Sequence, residues 1–229
     1  MEIDGRVALV TGAGGGLGAE FVRQLLERGA TKVYAAARRE IDWEDARVVP
    51  LLLDVTVPAD IEAAASLASD VDLLLNNAGA SGGGSLLTDD LDDIRATFET
   101  NVFGPLALTR ALAPMLAARG GGAVIDIHSL LSWLTSPGAY APTKAAFWGI
   151  TNALRAELAS QSTQVLGAHF GYVDTPMIAG LDVAKSAPAD IVRRILDALE
   201  AGDTEVLADE LTAELHAVLP TLTTGALRQ

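Results

Sequence analysis

The chain has 229 residues, 50% of them apolar, which is enough to bury the core of one α/β domain. Its 16 basic and 30 acidic side chains give a net charge of −14, which disfavours nucleic acid and membrane surfaces as partners. The absence of cysteine excludes disulfides, thiolate chemistry and cysteine-based zinc sites. The apolar segment behind residues 1–6 is too short for a signal peptide or a membrane span, so we expect a cytoplasmic protein.

The first predicted element is a buried strand that leads through a glycine-rich turn into a helix. Residues 7–10 form a continuous apolar run, typical of a parallel strand covered on both faces. Glycines crowd residues 12–18, and apolar residues then recur every fourth position from Leu17 until Gly29. Such a turn lets the backbone approach a pyrophosphate, with the N–H groups of the helix N-terminus directed at it. The alternative is a flexible glycine loop without a ligand.

The rest of the chain alternates between predicted strands and helices. This alternation predicts an α/β fold: an open parallel sheet with right-handed crossovers and helices on both faces. The clearest later helix begins at Pro188 and ends before Gly202. No repeat or linker interrupts the chain, so we predict a single domain over residues 1–229. The seven strands are predicted at residues 7–11, 32–37, 48–53, 71–76, 122–128, 163–170 and 204–208.

Tyr140 and Lys144 are four residues apart and lead into an apolar run. On a helix this spacing places both side chains on one face. A neighbouring ammonium favours the phenolate, so we expect Lys144 to lower the pKa of Tyr140 from about 10 toward neutrality, where proton transfer is most efficient. Taken alone, the pair is equally compatible with a half-buried tyrosine beside a solvated lysine.

Five motifs of the chain resemble, in order and distance, those of the short-chain dehydrogenase/reductase family. They are the glycine turn Thr11–Gly18, the segment Asn76–Gly79, the segment Asn101–Gly104, the strand Val124–Ser129, and the pair Tyr140 and Lys144. The resemblance covers most of the chain and implies a single Rossmann-like domain that binds a nicotinamide cofactor. In its light we interpret Tyr140 and Lys144 as an acid-base pair.

The resemblance implies four catalytic residues: Asn101, Ser129, Tyr140 and Lys144. Tyr140 would exchange a proton with the substrate oxygen, to which Ser129 would hydrogen-bond. Lys144 would hold the cofactor ribose, and Asn101 would support a water chain that resupplies the proton. The loop between Ser129 and Tyr140 is shorter than in most relatives, so Ser132 is an alternative position for the serine.

The resemblance also implies which residues bind the cofactor. Thr175 resembles the threonine that contacts the nicotinamide carboxamide, and Asp54 resembles an acidic residue at the adenine. Where the family usually carries Pro-Gly, this chain has Phe170-Gly171. The implied cofactor-binding residues are Gly12, Gly14, Gly15, Gly16, Leu17, Gly18, Arg38, Asp54, Val55, Asn77, Ala78, Gly79, Tyr140, Lys144, Gly171, Val173 and Thr175.

The end of the second predicted strand favours NADP(H) over NAD(H). In dinucleotide folds an acidic residue at this point accepts hydrogen bonds from the ribose 2′-hydroxyl, whereas an arginine pairs with a 2′-phosphate. Here Ala37 is followed by Arg38 and Arg39, and the first carboxylate is Glu40. NAD(H) stays possible, because Gly15 lacks the basic side chain that many NADP-using relatives carry. The alternative role of the two arginines is that of solvated surface charges.

We therefore expect oxidoreduction of a small-molecule carbonyl/alcohol pair. Two other functions stay open: a dinucleotide-binding regulator without catalysis, and an elimination or epimerisation enzyme that consumes no cofactor. Relatives commonly pair two long helices, here near residues 89–118 and 140–160, so we expect a homodimer or homotetramer. The short segment at residues 176–185 suggests an open substrate pocket.

The histidines and two tryptophans are assigned structural roles. His128 adjoins Ser129, but no G-x-S-x-G motif surrounds that serine, so we do not predict a hydrolase. His169 and His216 lack partners at metal-ligand spacing, so we predict no metal. Trp133 and Trp148 are interpreted as core, with lining of a substrate pocket as the alternative.

Overall fold

The structure is a computed structural model that describes residues 1–82 and 84–219. Its central element is a parallel sheet of seven strands. The strand order is β3-β2-β1-β4-β5-β6-β7, so the chain reverses its direction of winding between the adjacent strands β1 and β4. In open α/β sheets, ligands bind at the carboxyl ends of the strands on either side of such a reversal. The strands are β1 Val7–Thr11, β2 Lys32–Ala37, β3 Val48–Leu52, β4 Leu73–Asn76, β5 Gly122–Ile127, β6 Thr163–His169 and β7 Glu205–Leu207.

Helices cover both faces of the sheet because successive residues of each strand point to opposite sides. In β1, Val10 packs into the core that contains α1 and α6, whereas Leu9 packs into the core that contains α2 and α4. None of the helices within the described residues is long and apolar enough to cross a membrane. The helices are α1 Gly16–Glu27, α2 Pro58–Leu67, α3 Leu91–Phe98, α4 Gly104–Ala118, α5 Tyr140–Leu158, α6 Pro188–Ala201 and α7 Glu210–Val218.

The predicted fold class is confirmed, and the predicted strands differ from the observed ones by no more than two residues at either end. The largest difference is at β4, which begins at Leu73 instead of residue 71. Asp72 precedes it with a buried carboxylate that accepts a hydrogen bond from the Val7 N–H at 3.0 Å and pairs with Arg119 at 2.8 Å. Residues 83 and 220–229 of the predicted single domain lie outside the described residues.

The predicted long helix near residues 89–118 is interrupted by a π-helical turn at Glu99–Phe103. Turns of this kind occur frequently at functional sites, and this one carries Asn101. The next helix begins at Gly104, where an added Cβ would lie 2.7 Å from the Val55 carbonyl oxygen. The glycine therefore lets α4 approach the chain beyond β3 closely.

Candidate active site

The glycine turn joins β1 to α1 at the carboxyl edge of the sheet. Gly12 adopts a φ of 66°, and a Cβ there would lie 3.0 Å from the Ala78 Cα atom. At Gly18 a Cβ would lie 2.0 Å from the Gly12 carbonyl oxygen, which no backbone adjustment of a few tenths of an ångström can relieve. These two glycines are required by the packing of the turn on itself and on the end of β4.

The other glycines of the turn face a cleft. Gly16 has a φ of 55°, and a Cβ there would lie 3.3 Å from Thr175. Gly14 lies close to Ile41, whereas a Cβ at Gly15 would meet no atom within 4 Å. The turn thus presents backbone, with little side-chain bulk, to the space in front of the α1 N-terminus, as a pyrophosphate would require.

Thr11 ties the ends of β1 and β4 together at the reversal of the sheet. Its hydroxyl accepts hydrogen bonds from the N–H groups of Asn77 at 3.0 Å and Ala78 at 2.9 Å, and donates to the Leu75 carbonyl oxygen at 3.1 Å. The Asn77 side chain donates in return to the Thr11 carbonyl oxygen at 2.8 Å. Sequence reasoning noted Thr11 only as the start of the glycine motif, and the motif spacing carries no signal for these bonds.

One end of the cleft is an open cavity of about 1060 Å³ beyond β2 and β3. Arg38, Arg39, Asp54 and Val55 line it. Hydrogen bonds from the Thr56 N–H and hydroxyl hold the pKa of Asp54 below its usual value, and the charge of Arg38 acts in the same direction. This end combines two cations with two carboxylates, those of Asp54 and Glu99. Arg38 and Asp54 are among the residues predicted to bind the cofactor.

The other end is a cavity of about 510 Å³ that shares Gly12 and Arg38 with the first, so the two form one cleft. Of the predicted cofactor-binding residues, Gly18 alone lines neither cavity, because it is packed beneath the turn. The predicted residues at this end are Gly15, Gly16, Leu17, Asn77, Ala78, Gly79, Tyr140, Lys144, Gly171, Val173 and Thr175.

Burial raises the pKa of Tyr140, the first residue of α5, to about 12. The side chain of Ser129, which follows β5, acts on this pKa in the opposite direction. The alternative serine, Ser132, has a buried hydroxyl without a hydrogen-bond partner. The structure therefore brings Ser129, and not Ser132, to the tyrosine.

Lys144 lies one helical turn beyond Tyr140 and is buried. Its ammonium donates a hydrogen bond to the Ile127 carbonyl oxygen at 2.8 Å and lies 5.6 Å from the centroid of the Tyr140 ring. Burial lowers the pKa of Lys144 to about 8, against the opposing charge of Asp126. The expected lowering of the Tyr140 pKa by Lys144 is wrong for this arrangement, because burial raises this pKa and Ser129, not Lys144, is the group that acts in the opposite direction.

Asn101 connects the segment beyond β4 to the start of α5. Its amide donates to the Ala80 carbonyl oxygen at 2.9 Å and to the Thr143 hydroxyl at 3.0 Å, while its oxygen accepts from the Ala80 N–H at 2.8 Å. The Thr143 hydroxyl donates in turn to the Tyr140 carbonyl oxygen at 2.7 Å. Asn101 is thus placed to orient the first turn of α5. Its support of a water chain stays a prediction.

The family model of the short chain dehydrogenases matches residues 6–185. The chain belongs to this family. It is 30% identical to the NADP-dependent 3-hydroxy acid dehydrogenase of Schizosaccharomyces pombe, over 94% of this chain and 95% of the relative. It is therefore a short-chain dehydrogenase/reductase, an oxidoreductase with the Rossmann-like fold.

Solved structures of family members have the same fold. A short chain dehydrogenase of Burkholderia cenocepacia, solved in complex with NADP, is 39% identical with a TM-score of 0.91, covering 96% of this chain and 94% of the other. A gluconate 5-dehydrogenase of the same organism, solved with NADP and tartrate, is 26% identical with a TM-score of 0.81, covering 96% and 97%.

At the unusual Phe170-Gly171 pair, this short-chain dehydrogenase has little room for a larger residue. A Cβ at Gly171 would lie 2.9 Å from Leu130, and the Gly171 N–H donates to the Asp209 carboxylate at 2.6 Å. Asp209 also caps α7, where it accepts from the Thr212 N–H at 2.7 Å. It thereby joins the cleft wall to the last described helix, a role for which the sequence carries no motif.

The tryptophans that flank the active-site segment line neither cavity of this dehydrogenase. Trp133 stacks on His169, and the Trp148 indole N–H donates to Glu205 at 2.7 Å. Their interpretation as packed residues agrees with these contacts. Among the residues the structure describes, no three His, Asp or Glu side chains gather as a metal site would require.

Proposed function

We propose that this short-chain dehydrogenase interconverts a carbonyl and an alcohol with NADP(H), and that Tyr140 is its general acid and base. The observation that carries the proposal is the placement of Tyr140 and Lys144 on one turn of α5 at the end of a cleft floored by glycines, with Ser129 as the side chain that acts on the phenol. A carbonyl oxygen placed at that hydroxyl could accept its proton as the carbonyl is reduced.

The chain's own residues fit a dinucleotide. The glycine turn offers backbone N–H groups and leaves open the space in front of α1, and the proposed binding residues line the cleft from Asp54 to Thr175. Arg38 and Arg39 favour the 2′-phosphate of NADP(H), and no carboxylate precedes them at the strand end. The NADP-dependent relative and the NADP complex of the similar B. cenocepacia structure support the same choice. NAD(H) stays possible as a second cofactor.

When bound, NADPH supplies the hydride that reduces the carbonyl carbon. Tyr140 donates its proton to the substrate oxygen, and burial of the phenol keeps this proton in place at neutral pH. Ser129 hydrogen-bonds the same oxygen as negative charge develops on it. Lys144 places a buried ammonium beside the tyrosine and holds the cofactor ribose, while Asn101 orients the helix start that carries Tyr140.

Tyr140→Phe tests the proposal, because it removes the proton and keeps the ring. We expect kcat to fall by about 10²- to 10⁴-fold, the usual loss for an acid-base group, with NADPH affinity nearly unchanged. A panel of ketones and aldehydes, followed by NADPH absorbance, measures turnover, and fluorescence titration measures binding. Ser132→Ala is the matched control, since its hydroxyl has no partner, and it should leave kcat near the wild-type value. Wild-type turnover in Tyr140→Phe would contradict the mechanism.

The same panel separates the other two functions. Substrate conversion, seen by chromatography, without loss of NADPH absorbance would identify an elimination or epimerisation. Tight NADPH binding without conversion of any member of the panel would favour the regulator. The Tyr140 phenol beside Lys144 in the cleft favours an enzyme over the regulator, because a protein that only binds a dinucleotide needs no proton donor there.

A further inference from the structure

His169, the last residue of β6, lies directly behind the turn that carries Ser129. Its side chain is fully buried, and its Nδ1 atom lies 3.2 Å from the Ser129 carbonyl oxygen. Its Nε2 atom lies 2.9 Å from a carboxylate oxygen of Glu205 on the neighbouring strand β7. One imidazole therefore bridges the proposed active-site serine and the edge strand of the sheet.

Both partners of this imidazole are acceptors. A carbonyl oxygen can only accept, and an ionised carboxylate can only accept as well. The hydrogen bond with His169 holds the pKa of Glu205 below its usual value against the effect of burial, and the bond from Trp148 adds to it. The two contacts therefore hold the imidazole at both of its nitrogens.

The rings around His169 fix its plane. Trp133 stacks on the imidazole with centroids 4.0 Å apart and planes 21° apart, and the Trp148 N–H donates to the same Glu205 oxygen. His128 stacks on it at 4.8 Å, and burial holds the pKa of His128 well below its usual value, so that this second ring is neutral. Titratable groups nearby include His216, packed on Trp133, Arg155, whose charge acts on Glu205, and Lys144, whose charge acts on His128.

We propose that His169 is a positioning residue of this dehydrogenase: held by Glu205, it fixes the Ser129 carbonyl and thereby keeps the Ser129 side chain at Tyr140. The inference rests on the proposed function of Ser129. The carbonyl and the side chain belong to one residue, whose hydroxyl oxygen also accepts from the Leu131 N–H at 3.2 Å, so the turn moves as a unit. A displacement of about 1 Å at a reacting group can cost up to ~10²-fold in rate.

The first test needs no turnover. The chain has three histidines, so ¹⁵N-histidine labelling resolves each ring, and His169→Asn assigns the resonances of His169. We expect the His169 Nδ1 to carry a proton, because only a protonated nitrogen can donate to the Ser129 carbonyl, and we expect Glu205→Gln to shift the Nε2 resonance. A bare Nδ1 on wild-type His169 would overturn the inference. This result is independent of whether Tyr140 acts in catalysis.

The second test compares two amides in place of the ring. The shorter amide introduced by His169→Asn reaches about the position of Nδ1 and can still donate to the Ser129 carbonyl, whereas the longer amide of His169→Gln reaches only Glu205. We expect His169→Gln to lower kcat by about tenfold or more with KM and NADPH affinity nearly unchanged, and His169→Asn to stay closer to wild type. Equal kcat values for both variants and wild type would overturn the inference. If neither variant folds, the spectra of wild type and Glu205→Gln decide it.

Discussion

The protonation states of Tyr140 and Lys144 set the pH range of carbonyl reduction. Burial raises the pKa of Tyr140 to about 12 and lowers that of Lys144 to about 8. The phenol therefore keeps its proton across the neutral range, whereas the ammonium is charged only below about 8. We expect kcat for reduction to fall as the pH rises through about 8, measured with saturating NADPH. A rate constant that stays flat up to about pH 10, the ordinary pKa of lysine, would contradict this assignment.

We expect Arg38 to decide the choice between the two nicotinamide cofactors. Its side chain lines the wider end of the cleft, directly after the end of β2. Arg38→Ala should raise the Kd of NADPH by about 10- to 100-fold, the value of a charge-assisted hydrogen bond, and change that of NADH little. Fluorescence titration of both cofactors measures the ratio. Arg39→Ala, one position farther along the chain, should have the smaller effect, and an unchanged NADPH/NADH ratio in Arg38→Ala would remove the proposed preference.

The glycine turn between β1 and α1 depends on close backbone packing more than on flexibility. A Cβ at Gly18 would lie 2.0 Å from the Gly12 carbonyl oxygen, whereas one at Gly15 would meet no atom within 4 Å. Gly18→Ala should therefore abolish NADPH binding and lower Tm, since either α1 or the turn must shift. Gly15→Ala should keep both properties, because the φ of Gly15 is 162° and its backbone is extended. Fluorescence titration and thermal denaturation measure both variants, and equal behaviour would refute the packing explanation.

Two long helices leave an outer face of small and apolar side chains. On α5 this face includes Ala145, Gly149 and Ala153, and on α4 it includes Phe103 at its start and Ala107. We expect this face to join copies of the chain into a homodimer or homotetramer, which sedimentation equilibrium measures. Gly149→Glu should give a monomer, because a charged side chain would enter the helix contact.

Gly149→Ala is the matched control for assembly. A Cβ at Gly149 meets no atom of its own chain within 4 Å, and alanine stabilises a helix by about 1 kcal/mol relative to glycine. This variant should stay assembled and gain thermal stability. A wild-type chain that sediments as a monomer would remove the proposal, as would a Gly149→Glu variant that assembles normally.

The sheet and the cleft could be predicted from the sequence because their signals are local. A strand covered on both faces leaves a continuous apolar run, as at residues 7–10, and parallel strands must alternate with helices. The glycine at 18 reflects a contact within one short turn, and Tyr140 and Lys144 are neighbours on one helix. The distances that matter for these features are set by a few consecutive residues.

Properties that depend on burial, or on contacts between residues far apart in the sequence, could be determined only from the tertiary structure. The same spacing of Tyr140 and Lys144 suits a lowered or a raised tyrosine pKa, and only the surroundings of the phenol decide that it is raised. The sequence offers both Ser129 and Ser132 as the active-site serine. The packing of β5 and α5 decides that Ser129 is the one that acts on the tyrosine. His169 and Glu205 are 36 residues apart and meet because β6 pairs with β7. Electrostatics in a protein interior follow distance through space and exclusion of water, and neither is encoded in a local pattern of residues.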